Sequence, residues 1–103
     1  MAFSTINLTE PVLGKDLAAY GAKPGQHDCY PDCIAVFAVN TDSATISSGT
    51  VYITPAGALS SATDTGALTG VTLADCPAGA GIYAIVQGLV PGDTPAFVAY
   101  TVA

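Results

Sequence analysis

The stretch Cys33-Ile34-Ala35-Val36-Phe37-Ala38-Val39 decides how the rest of the chain is read. Seven consecutive apolar residues with no Gly, Pro or charge form a strand covered on both faces. Such a strand is central, so other strands must flank it. Asn40-Thr41-Asp42-Ser43 ends it in a turn, because Asn and Asp tolerate left-handed backbone and bond their own main chain.

Upstream, a loop over 27–32 leads back to Lys23-Pro24-Gly25-Gln26, which has Pro and Gly at the central positions of a type II turn. Lys15 to Tyr20 is the one place for a helical turn. Phe3 to Thr9 alternates Phe3, Thr5, Asn7 against Ser4, Ile6, Leu8 until Glu10-Pro11 breaks it, the pattern of an edge strand or an arm that leaves the domain. Residues 1–10 are therefore expected as an N-terminal arm or edge strand, and 11–103 as a single β domain.

Downstream, Ala44 to Ser48 and Thr50 to Thr54 are expected strands, the second with Val51 and Ile53 on one face and Tyr52 on the other. Gly57-Ala58-Leu59-Ser60 is echoed nine residues later by Gly66-Ala67-Leu68-Thr69. Two copies are too few for a solenoid, so the echo is read as coincidence or a loop hairpin. Val71 to Ala74 is a short strand. Ile82 to Val90 and Pro95 to Val102 make a hairpin across Pro91-Gly92-Asp93. Both faces of its last strand carry apolar groups, so that strand is either central or covered by a neighbour. Turn residues every 8 to 12 positions, with no clean helical stripe, predict an all-β fold: a small antiparallel β-sandwich or barrel with an extended N-terminal arm.

Composition narrows the function. Val, Ile, Leu and Phe supply 25 of 103 residues, above the roughly 20% below which highly charged chains stay disordered. Of the apolar residues 18 are Ala, so the core is thin and a partner surface is a natural supplement. Two Lys, no Arg and eight acids give a net charge of −6, which opposes binding to nucleic acid or to an anionic membrane. No run approaches the roughly 20 apolar residues of a membrane-spanning helix, and the first residues show no secretory signal.

His27, Cys29, Cys33 and Cys76 together offer one imidazole and three thiolates, a ligand set that zinc accepts. The spacing is poor, since Cys76 stands alone on its arm. A disulfide from Cys76 to Cys29 or Cys33 is the second reading, and three reduced thiols acting as small hydrophobes, without metal or cofactor, is the one the spacing favours. An enzyme is not expected: His27 is the only base of its kind, no Gly-x-Ser-x-Gly elbow exists, and no Arg is present to clamp an oxyanion. The aspartates fall in turns without an Asp-x-Asp-x-Asp-Gly run, which argues against calcium. Phe3, Ile6 and Leu8 on the arm, with Tyr30, Tyr52 and Tyr100, are the expected contact residues, because tyrosine joins an apolar body to a polar tip.

Ile34 to Ile53, with its turn at Asn40-Thr41-Asp42-Ser43-Ala44-Thr45 and its close at Gly49-Thr50-Val51-Tyr52-Ile53, resembles the strand-turn-strand passages of immunoglobulin-like sandwich modules. As a whole, the small, acidic, Ala/Gly/Thr/Ser-rich β chain is similar to the capsid cement, or decoration, proteins of tailed bacteriophages. That resemblance implies a virion protein made in the host cytoplasm. It would sit on the head surface against the major capsid protein as a homo-oligomer, a dimer or trimer, and stabilise the shell without chemistry. The alternative is a β-sandwich carbohydrate- or protein-binding module of a phage fibre or bacterial adhesin.

Overall fold

A computed structural model describes residues 8–20, 23–29, 33–62, 65–90 and 96–102. The all-β fold expected from the sequence is what it shows. Among the described residues seven strands follow in chain order: β1 (His27–Cys29), β2 (Cys33–Asn40), β3 (Gly49–Ile53), β4 (Ala58–Ser60), β5 (Leu68–Thr72), β6 (Gly81–Val90) and β7 (Ala96–Val98). The apolar run is the central strand, and β6 is its long antiparallel partner from Cys33 opposite Gly88 to Val39 opposite Gly81.

The pairings close on themselves. From β2 the sheet passes to β6, β5, β3 and β4, and β4 returns to β2 through Val39 opposite Ala58 and Asn40 opposite Leu59. Five strands thus form a small barrel, with β1 and β7 as flanges on its sides. The returning pair is parallel, in a sheet that is otherwise antiparallel. A parallel neighbour needs a crossover, and the chain between 41 and 57, which includes β3, supplies it.

Period-2 alternation gives β2 and β6 two different faces. Val36, Ala38, Ile82, Ala84 and Val86 point into the barrel with Val51, Ile53 and Leu59. Ala35, Phe37, Tyr83 and Ile85 point out, where Leu8, Val12 and Leu17 from the start of the chain cover them. The alanines that made the core look thin have a place: Ala38, Ala80 and Ala84 are buried inside the ring, small groups set among Ile53, Leu59 and Ile82. Leu17 belongs to a single helical turn, Gly14–Asp16 followed by Leu17–Tyr20, at the predicted position.

The echoed tetrapeptides run into β4 and β5, each paired with β3 and not with each other as a loop hairpin. Leu59 and Leu68 both lie opposite Ile53, and Ser60 and Thr69 both lie opposite Tyr52, so the two copies flank β3 symmetrically. Ala44 to Ser48 forms no strand. It contributes only a bridge, in which Ile46 and Cys76 exchange backbone hydrogen bonds of 2.9 and 2.8 Å. Buried Asn40 anchors that region. Its Nδ2 donates to the carbonyls of Ala44 and Cys76, both at 2.9 Å, and its Oδ1 accepts from the amide of Asp42, which is the predicted Asx turn.

The turn at 23–26 is also as predicted, with Gly25 at φ 85° and the amide of Gln26 donating to Lys23 O at 2.9 Å. It packs end to end against the turn before β4. A Cβ on Gly57 would run into Pro24, and this lets β1 and β4 share one edge of β2.

Candidate functional site

β1 runs antiparallel to β2 with His27 opposite Val36, so the imidazole lies on the barrel-side face. Across from it, the last residues return to the sheet: Leu68 and Val102 form an antiparallel bridge, and the amide of Thr69 donates to Thr101 O at 2.9 Å. Between these two elements lies an open groove of about 200 Å³. Buried Val36 and Ile53 line its floor, Leu68 and Pro55 its walls, and His27 and Tyr100 its rim.

His27 Nδ1 lies 3.1 Å from Gly25 O. A carbonyl only accepts, so Nδ1 carries the proton and Nε2 is the acceptor of the neutral ring. No carboxylate orients this imidazole from its own strand. Asp28 points to the opposite face, where its Oδ2 accepts from Tyr83 Oη at 2.6 Å and from Gln26 Nε2 at 3.0 Å. Among the described residues no carboxylate is hydrogen-bonded to this imidazole. What the groove offers is an apolar floor with one acceptor and one phenol at its edge, suited to an inserted side chain or a flat ring.

The four zinc candidates are not brought together. Cys33 lies on the outer face of β2 within the outer core, while Cys76 lies inside the barrel. Cys29 is exposed at the end of β1, and no disulfide joins the three. The proposed pairing of Cys76 with Cys33 is corrected by the sheet between them, and Cys29 does not bridge to it. Among the described residues no three His, Cys, Asp or Glu side chains are placed to hold a metal ion. The Cys76 thiol is pushed above its ordinary range by burial, against a smaller opposing effect of the Asn40 backbone amide. Its Sγ donates to Ala80 O at 3.3 Å.

The expected contact residues divide. Phe3, Ile6 and Tyr30 lie outside the described residues. Leu8 is corrected from arm to core: at 6% exposure it fills the outer cluster against Phe37 and Ile85, since the exposed apolar face of β2 and β6 needs a cover. Tyr52 is half-buried on the outward side of β3, and Tyr100 is exposed at the groove. Sequence reading missed Leu89 and Phe97, which are exposed register partners across β6 and β7. The signal was present: the expected hairpin, counted outward from residues 90 and 96, pairs them. The Asp28–Tyr83 hydrogen bond had no signal, since 55 residues separate its ends.

No family model, curated protein or solved structure matches this chain. No helix among the described residues is long and apolar enough to cross a membrane.

Proposed function

We propose that this protein is a structural attachment protein, a capsid cement protein that decorates the outer surface of a tailed-phage head and stabilises it by non-covalent contacts with the major capsid protein. The observation that carries the reading is the segregation of apolar surface from charge. Among the described residues, four of the five large apolar side chains left exposed, Leu89, Phe97, Tyr100 and Val102, come from the last strands and tail. Residues 76–103 contain a single charged residue, Asp93, in a chain of net charge −6. Exposed apolar side chains in a stretch almost free of charge suit a contact site, and weak contacts of this kind gain strength on a repetitive lattice.

The test is co-sedimentation with virus-like particles, combined with native mass measurement. Stoichiometric binding to the shell, with a rise in the shell's resistance to heat, is the expected result. Binding to no shell, or turnover of a substrate that disappears in His27→Ala, overturns the reading. The groove between His27 and Tyr100 favours a second reading, a carbohydrate- or protein-binding module. In that case a monomer would bind a glycan or receptor peptide and lose it in Tyr100→Ala.

A further inference from the structure

Strand β7 is an unguarded edge. Among the described residues it pairs only with β6, so one row of backbone N–H and C=O groups over Ala96–Val98 faces outward. Natural edges are usually blunted by charge, proline or a bulge, and this strand contains neither charge nor proline. Phe97 is 70% exposed and Leu89, directly opposite, 45%. Val98, on the other face, packs with Val90 at the margin of the outer core.

The start of the chain lies within reach of this edge. Val12 bridges antiparallel to Gly81 at the beginning of β6, and Leu8 is buried in the cluster that holds Ile85. Passing backward from Val12, the chain bends at residues 8–10 and seats Leu8 on the outer face that β6 shares with β2. Seven residues precede Leu8, a reach of about 23 Å as a strand, whereas β6 extends only about 17 Å from Ile85 to Val90. Descending from the covering layer to the plane of its own β7 would also consume about 10 Å of that reach. These two displacements, at right angles, together take about 20 Å, so about one residue is left to pair along its own β7, and the segment pairs more fully with another molecule. Charge agrees: residues 1–9 have no charged side chain, so two acidic copies can meet here without apposing carboxylates.

We infer that residues 1–7 of one copy add as a strand to the open edge of β7 in a second copy, an inference that rests on the structural role proposed above for its need of an oligomer. Main-chain hydrogen bonds supply the affinity, and side-chain parity sets the register. With Ile6 on the face of Val98, alternation puts Phe3 on the face of Leu89 and Phe97, where three large apolar groups then cover one another.

The experiment is sedimentation velocity on the full chain and on Phe3→Asp and Phe97→Asp, singly and mixed in equal amounts, with circular dichroism as the check on folding. Wild type is expected to associate, and each variant to weaken association by at least about tenfold. The mixture should recover a dimer, because the intact arm of Phe97→Asp meets the intact edge of Phe3→Asp. A monomeric wild type overturns the inference, as it would if each arm served its own edge. So does a Phe3→Asp variant that associates like wild type, the result expected if two β7 edges paired directly. Shell binding is measured separately. Its loss with self-association intact removes the cement reading alone, and the converse removes the arm exchange alone.

Discussion

The two flanges of the barrel, β1 and β7, are both three-residue edge strands, and they are finished in opposite ways. β1 reads His27-Asp28-Cys29, and its central carboxylate is tied across the sheet to Tyr83 and along the chain to Gln26. A charged, anchored residue in the middle of an edge deters pairing with another chain. β7 reads Ala96-Phe97-Val98, with an aromatic ring at the same central position and no charged residue or proline within the strand. The difference shows that an edge is closed or open by its side chains, not by its place in the sheet.

Phe37→Ala should break the comparison most severely. Its ring sits 5.1 Å from that of Tyr83, which holds the β1 anchor, and it is fully buried in the outer core. A loss of about 3–5 kcal/mol in chemical denaturation is expected. Tyr83→Phe is milder and more specific. It removes one hydrogen bond to a part-buried carboxylate, costs about 1–2 kcal/mol, and should loosen β1 while leaving self-association through β7 unchanged. Phe97→Asp sharpens the contrast from the other side: as an exposed residue it should change monomer stability by no more than about 0.5 kcal/mol while reducing association.

The cysteines give the smallest effect and one with a definite sign. With the folded Cys76 thiol above its ordinary range, the unfolded chain loses this proton first as pH rises, so the unfolded state binds fewer protons and stability falls. Below the ordinary thiol range this contribution is fully retained. Comparing melting temperatures of wild type and Cys76→Ala between about pH 8 and 11 should show the steeper alkaline decline in wild type. Thiol-reactive dye should modify exposed Cys29 in the native protein well before buried Cys76.

Local chemistry was legible and partnership was not. The run at 33–39, the Pro24-Gly25 turn and the Asx turn at Asn40 are written in neighbouring residues, and the structure has them. Of the expected hairpin it has β6 and a shorter second strand, Ala96–Val98, which is an edge and not central or covered, while the expected turn lies outside the described residues. The parallel return of β4 to β2 was hidden because alternation reports which face a residue takes, not which strand lies beside it. The same blindness concealed that two similar tetrapeptides share β3. It also made Leu8 look like part of an arm, since only the uncovered face of β2 and β6 gives that side chain a destination. The groove joins residues 27, 36, 53 and 100, too far apart in the chain for any spacing rule to connect.

One edge of β2 is served by two elements laid end to end: Phe37 N–H donates to Gln26 O, and two residues on Val39 N–H donates to Gly57 O, both at 2.9 Å. Such a splice divides the strand's protection into separate opening units. The flap that ends at β1 can lift, once Asp28 releases Tyr83, without unzipping the ring, so the Phe37 amide should take up deuterium through a shallower opening than Val39, which waits for global unfolding. A molecule assembled this way loosens at its rim while its hoop stays shut.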